Sequence, residues 1–382
     1  MPQLSPLRLT GARALIGDQL ADQPITLAEG LVTDGPAPEL DLSGYIVLPG
    51  IIDLHGDGFE RHLTPRPSAP FDKRRALRSA AAELAVNGVT TAWFAQSWSW
   101  EGGFRSGQAT CDLLEALSTE KAGLLADIRV QIRLETHVTM AFSEVEQAVA
   151  QYGVDYVVFN DHLPEAVQMA ETQPARFAQW AAQTKRSAEE MLAIVRAAQA
   201  IGAEVPAALT HIASSFRNLG VRMGSHDDAT SETRGFYSGI GADVCEFPTR
   251  FEAAQTAYSA GEPVVMGAPN VVRLGSQSGN IAAQGLIEAG LCDALVSDYY
   301  YPALAQAAWH LVDTCVMDLP AAWAMISARP AQIMGLTDRG QLDLGKRADV
   351  IAVNAKTREV EMAITAGRLV HLSGEVARRF RV

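Results

Sequence analysis

The run YIVLPGIIDLHGD at residues 45–57 frames the reading of the whole chain. Its first eight positions are apolar or aromatic, apart from a Pro-Gly pair, and read as a buried strand. Charged and polar residues arrive only after Ile52, first Asp53 and then, at the end of the run, the H-x-D pair His55 and Asp57. Arg61, His62 and, between two prolines, Arg66 follow within nine residues of that aspartate. A strand that stays apolar until its last residues, then delivers an imidazole, a carboxylate and several cations, suggests a site at a strand end.

Seven further short runs have the same β-branched or apolar character, at residues 90–95, 128–134, 156–159, 221–225, 243–247, 264–268 and 294–297, with the first at 45–52. Between them lie helical patterns rich in Ala, Leu, Glu and Arg. One spans 72–88 and stops at Asn-Gly, one spans 172–202 and reads as two helices, and those at 251–261 and 279–290 are closed by Gly. Eight strands alternating with helices make an α/β chain and favour a closed (β/α)8 TIM-like barrel over an open sheet. The two ends differ from this pattern, reading as short strands and turns. The expected division is one small β-structure from residues 1–45 and 340–382 around a barrel at 46–339.

The totals restrict the function. The 382 residues carry a formal net charge of −13, which argues against a general nucleic-acid or anionic-membrane surface but leaves room for a local basic pocket. The four cysteines, Cys111, Cys245, Cys292 and Cys315, show no C-x-x-C spacing and fit a reduced, cytoplasmic setting. The N-terminal stretch lacks the pattern of a signal peptide, and no apolar run has the length of a membrane span. Neither nucleic acid nor membrane is expected as a partner; a small anionic molecule is, and the chain is expected to be a cytoplasmic homo-oligomer.

In a barrel of this kind the chemistry sits at the carboxyl ends of the strands. Those ends carry His55 and Asp57, Gln96, Glu135 and His137, Asn160, Asp161 and His162, His226, Asp227 and Asp228, Glu246 and Thr249, Asn270, and Asp298 followed by three tyrosines. Four of the eight histidines fall at these ends, a concentration that random placement would rarely give. Imidazoles and carboxylates converging from several strands suit a divalent transition metal: one or two zinc ions, with manganese or iron also compatible. Such ions lower the pKa of a bound water and stabilise charge on the attacked centre. His55, Asp57, His162 and His226 are the candidate ligands, with Glu135 beside them unless it pairs instead with Arg133 or Arg129. Asp298 is a catalytic or metal-bound carboxylate. His137 is either a ligand or a supporting group. Asp227 could merely cap the next helix, His211 and His310 read as structural, and His371 as solvated.

These residues also carry a family resemblance. VLPGIIDLHGD at 47–57 and DRGQLDLGKRADVIAV at 338–353 resemble the amidohydrolase superfamily. A closer likeness, to the branch of that superfamily that serves phosphonate metabolism, rests on HGDGFERHLTPRP, GSHDDAT, EFPTRFEAAQTA, VVMGAPNVVRLGSQSGN and LVSDYYYPALAQAAW, which span nearly the whole chain. The resemblance implies a metal-bearing barrel with a β-sandwich made from both termini. It implies a diphosphatase, a hydrolase releasing diphosphate from α-D-ribose 1-methylphosphonate 5-triphosphate. Carried over residue by residue, His55 and Asp57 would hold one metal, Glu135 would bridge, and His162 and His226 would hold the second. Asp298 would handle the proton of the attacking water. Arg61, Arg66, Asn270, Arg273 and Ser276 would grip phosphate or phosphonate oxygens, a task that suits the forked donors of arginine. The chain departs from the branch at Gly58 and in the stretches 163–171 and 274–277, which bear on the substrate rather than on the metal. Two other readings remain: a metal-dependent C–N hydrolase (deaminase, cyclic amidase or deacetylase) on the same barrel, and a non-catalytic barrel scaffold. The several cations favour a phosphoryl anion over a neutral amide. A scaffold would not need His55, Asp57, His162, His226 and Asp298 together.

Overall fold

The computed structural model describes residues 2–66, 69–276 and 279–380. Its centre is a sheet of eight parallel strands: β1 (Ile51–Gly56), β2 (Val89–Trp98), β3 (Asp127–Glu135), β4 (Tyr156–Asn160), β5 (Arg222–His226), β6 (Val244–Glu246), β7 (Val264–Gly267) and β8 (Ala294–Val296). Each strand pairs with its sequence neighbours. Closure is made at the β8–β1 seam, where Asp298 N–H donates to His55 O at 3.0 Å and Asp57 N–H donates to Asp298 O at 2.8 Å. The buried Asp53 carboxylate fastens the same seam, accepting from Ser297 N–H at 2.9 Å and from Ser297 Oγ at 2.6 Å. The expected barrel is thus the observed one.

The strand expected at 45–52 is two strands. Tyr45–Pro49 pairs antiparallel with Val350–Asn354 in a different sheet, and β1 begins at Ile51. Gly50 makes the break: a Cβ there would lie 2.4 Å from Thr90 Cγ2, so the chain can pass β2 this closely only without a side chain. Apolar character alone cannot show a strand changing sheets, because both halves are buried.

The ends of the chain build two sheets. One has four strands, from Leu7–Thr10, Ile25–Ala28, Leu31–Thr33 and Glu39–Asp41. The other has six, from Arg13–Ile16, Gln19–Ala21, Tyr45–Pro49, Val350–Asn354, Val360–Thr365 and Arg368–Leu372. Leu9, Leu27 and Leu40 of the first and Val47, Val350 and Met362 of the second share one buried core, as a sandwich requires.

Helices cover the outside of the barrel. Lys73–Val86 starts where the Asp72 side chain accepts from Arg75 N–H, and it buries Ala76, Leu77, Ala80, Ala81 and Leu84, a stripe at helical spacing. Burying each leucine there contributes about 2 kcal/mol. After β4 comes an insertion of three helices, Leu163–Thr172, Pro174–Gln183 and Ala188–Ala200, with its own core of Leu163, Phe177, Met191 and Val195. A capping box of Ser187 and Glu190 separates the last two, giving the two helices expected within 172–202. Trp180 Nε1 donates to Glu101 Oε2 at 3.2 Å and Arg186 to Glu101 O, so the insertion is pinned to the loop after β2. No single helix among the described residues is long and apolar enough to cross a membrane.

Candidate active site

Parallel strands bring all eight carboxyl ends to one mouth. His55, Glu135, His226 and Glu246 are the last or next-to-last residues of β1, β3, β5 and β6. Asp57, His162 and Asp298 follow β1, β4 and β8 within two residues. At three of these ends a non-glycine residue has positive φ: Asp227 at 62°, Phe247 at 51° and Asp298 at 55°. Such residues cost of order 1 kcal/mol each and persist where neighbours over-determine them. Here they are held by the next strand across, Asp227 N–H on Glu246 O at 3.0 Å and Phe247 N–H on Val265 O at 2.8 Å. The turn aims the side chain that follows each strand into the mouth.

Glu246 is the hub of the floor. It is fully buried, and its Oε1 accepts from Tyr156 OH at 2.6 Å and Gln131 Nε2 at 2.7 Å. Its Oε2 lies 2.8 Å from His55 Nδ1 and 3.5 Å from His226 Nδ1. Burial opposes its ionisation, but the two histidines and their hydrogen bonds outweigh that and hold the carboxyl well below the usual range. The His55 and His226 rings stack with centroids 5.3 Å apart. Among the described residues, His55, His226 and Glu246 offer ligand atoms that all lie within 4.8 Å of one another. Two imidazoles and one carboxylate is a donor set typical of a divalent metal with an open position.

The other expected residues surround this group. Glu135 is buried and accepts from His162 Nδ1 at 2.5 Å and His162 N–H at 3.2 Å. Burial alone would lower the pKa of His162, and Glu135 more than offsets it, raising the value. His226 goes the other way: burial depresses its pKa against the pull of Asp227. Asp298 is pushed up to about 6, first by burial and then by the negative charge of Asp57, against the pull of His55 and Arg133. Glu60, one turn past Asp57, is pushed up to about 7 by the same two causes. Asp57, Glu60 and Asp298 thus stand close enough for the charge of Asp57 to oppose ionisation of the other two, beside the imidazole–carboxylate group of the floor. The residues present therefore fit a divalent cation.

Two groups at this site lie outside the expected set. Glu246 is visible as a single acid in an otherwise apolar strand, but nothing in the sequence says that it faces both His55 and His226. Arg133 points into the same mouth, its Nη2 3.2 Å from His226 Nε2 and its Nη1 4.0 Å from Asp57 Oδ2. Its signal is the alternation Gln131, Arg133, Glu135, three polar residues on one face of β3. His137 stands apart: β3 ends at Glu135, and His137 Nδ1 lies 3.0 Å from Thr136 Oγ1 and 3.4 Å from Asp161 Oδ1.

The residues expected to grip anions divide. A cleft of about 310 Å³ beside Asp298 is lined by Asn270, Arg273, Ser276, Phe247 and Tyr299. Asn270 also props the cleft wall, its Oδ1 accepting from Ala283 N–H at 2.9 Å, and Arg273 Nη1 donates to Tyr299 OH at 3.4 Å. Arg61 is turned away, paired with Glu83, donating to Tyr299 O at 3.0 Å and lying 5.5 Å over the Tyr301 ring. Arg66 is exposed in the loop beyond. Gln277, one of the positions that depart from the phosphonate branch, lies outside the described residues.

An eight-stranded parallel barrel with an imidazole–carboxylate mouth and a sandwich from both termini defines a class. Residues 46–370 match the amidohydrolase family, and the chain belongs to it. Within the family it is 34% identical over 339 residues to the α-D-ribose 1-methylphosphonate 5-triphosphate diphosphatase of Escherichia coli K12, covering 85% of this chain and 87% of that one. This bears out the expected resemblance to the phosphonate-metabolism branch. Among solved structures, an Xaa-Pro dipeptidase with bound methionine is similar with a TM-score of 0.63 at 15% identity, covering 96% of this chain and 99% of the other. An N-acetyl-D-glucosamine-6-phosphate deacetylase from Mycobacterium smegmatis is similar with a TM-score of 0.61 at 16% identity, covering 96% and 100%. These two likenesses establish the shared fold.

Proposed function

We propose that the chain is a metal-dependent diphosphatase that hydrolyses α-D-ribose 1-methylphosphonate 5-triphosphate, or a closely related phosphorylated compound, to release diphosphate. The observation that carries this reading is the adjacency of Asp298 to the cleft of Asn270, Arg273 and Ser276: a carboxyl able to take a proton near neutrality borders a wall of anion-binding groups. The identity to the Escherichia coli diphosphatase supports the same substrate class.

His55, Asp57, Glu135, His162, His226 and Asp298 are the proposed ligands, with Glu246 added as the group that orients His55 and His226 or shares the ion with them. A divalent ion bound there would supply a Lewis acid and a water of lowered pKa. The remaining work falls to the chain. Asp298 accepts the proton of the attacking water. Arg273 and Ser276 hold the anionic end of the substrate, and Asn270 keeps that wall in place. Arg61 and Arg66 are proposed to meet outlying phosphate oxygens, Arg61 only after leaving Glu83.

The test is a substrate screen with Zn²⁺- or Mn²⁺-loaded protein on ribose phosphonate triphosphates, nucleoside triphosphates and an amide panel, read by ³¹P NMR and by ammonia release. Diphosphate formation from the ribose phosphonate triphosphate is expected. Turnover of amides without diphosphate formation from any triphosphate would replace this reading with C–N hydrolysis.

A further inference from the structure

Arg133 has no part in the proposed chemistry, yet its guanidinium lies in the middle of the mouth. Its side chain is only 12% exposed, rooted on β3 and facing His226 on β5 and Asp57 just after β1. A guanidinium is charged at every working pH and can only donate. In the 3.2 Å contact between Arg133 Nη2 and His226 Nε2, the imidazole nitrogen must therefore be the acceptor. An accepting Nε2 carries no proton, so the ring proton sits on Nδ1, which lies 3.5 Å from Glu246 Oε2. The Nε2 lone pair is then the only one His226 has to offer a metal, and Arg133 covers it. The other arm of the fork is 4.0 Å from Asp57 Oδ2, a second proposed ligand.

A divalent ion on His226 Nε2 would sit about 2.0–2.1 Å from that nitrogen. The Arg133 nitrogen at 3.2 Å on the same lone pair leaves no room for it, and like charges at that range repel. Metal and guanidinium are mutually exclusive at His226. We propose that Arg133 is a displaceable counter-cation. It holds His226 and Asp57 in place before the metal enters, yields them to the metal, and then donates its fork to a phosphoryl oxygen of the substrate. The first half of this proposal stands on the geometry alone; the second rests on the phosphoanhydride reading above.

The experiment uses chelator-stripped full-length protein, as wild type, Arg133→Met and Arg133→Lys, each checked by circular dichroism for retained fold. Zn²⁺ affinity is read by competition with a chromophoric chelator. Arg133→Met is expected to bind Zn²⁺ about tenfold more tightly than wild type at low ionic strength, with Arg133→Lys in between. Equal or weaker Zn²⁺ binding by Arg133→Met would overturn the competition, whatever the substrate proves to be. Inorganic diphosphate is then titrated into the Zn²⁺-loaded proteins by calorimetry. Its affinity should fall about tenfold or more in Arg133→Met and be partly kept in Arg133→Lys. Tighter Zn²⁺ binding with unchanged diphosphate affinity would overturn the substrate role. A failed substrate screen, by contrast, leaves the Zn²⁺ result standing.

Discussion

Asp57 N–H donates to Asp298 O at 2.8 Å, and this main-chain link sets two carboxylates at one corner of the barrel mouth. The carboxyl of Asp298 is raised to about 6 by burial and by Asp57. Its folded-state pKa thus lies above the unfolded value of 3.8. The folded protein holds that proton more tightly, so the metal-free protein loses stability as pH rises from about 4 to about 6, by at most about 3 kcal/mol. Asp298→Asn should remove that penalty. In denaturant titrations without metal it should be more stable than wild type at pH 7, with the difference gone at pH 4. The same variant should lose at least about a hundredfold in turnover. An Asp298→Asn protein less stable than wild type at pH 7 without metal would contradict the account of the charge balance.

Glu246 aligns both histidines from below, so its charge should matter more than its shape. Glu246→Gln keeps the size but replaces one acceptor oxygen with a donor, facing either the Tyr156 and Gln131 donors or the two imidazoles. Metal affinity should fall about 10–100-fold, as for other groups that orient metal-bound histidines, measured by chelator competition. If Glu246 were only a buried structural acid, the variant would lower the thermal midpoint and leave the affinity of the folded fraction unchanged.

The barrel was legible in the sequence because its strands are short apolar runs separated by capped amphipathic helices, and because polar residues collect at their carboxyl ends. His55, His226 and Asp298 stand out for the same reason: each is a hydrophilic residue at the end of a run such as LVSD. What could not be read was which of these side chains meet. Glu246 and His55 are 191 residues apart, and their 2.8 Å contact depends on the barrel closing. Arg133 looked like a partner for Glu135, yet Glu135 is taken by His162, and Arg133 turns to His226 and Asp57. The split of 45–52 at Gly50 was hidden because its cause, the approach of Thr90, lies forty residues on.

Asp53 offers a test of how the barrel is shut. Its carboxylate is fully buried and takes both the Ser297 N–H and the Ser297 hydroxyl, one residue before Asp298. Asp53→Ala leaves both donors unpaired in the seam, costing about 2–4 kcal/mol. Ser297→Ala removes only one of the two bonds, and it should cost no more than about half as much. Because the seam carries Asp298, the Asp53→Ala protein should also show amide exchange at Asp298 and Asp57 that is faster than elsewhere in the barrel. A uniform change in exchange across all eight strands would mean that Asp53 supports the whole barrel and has no special hold on the seam.

Arg273 discriminates between the anionic and neutral substrate classes. It lines the cleft next to Asp298 and touches Tyr299 OH at 3.4 Å, a contact weak enough to be given up to a phosphate oxygen. Arg273→Ala should raise KM for a triphosphate substrate about tenfold or more, with a smaller change in kcat, because the lost interaction holds the substrate at a distance from the reacting phosphorus. Arg273→Lys keeps the charge but not the fork, and it should recover part of the loss. Raising the salt from low to physiological levels should weaken wild-type binding more than that of Arg273→Ala, since a screened charge cannot be lost twice. A KM that is insensitive to both substitution and salt would mean that the cleft does not receive the anion, and would leave Arg61 and Arg66 as the cations to test.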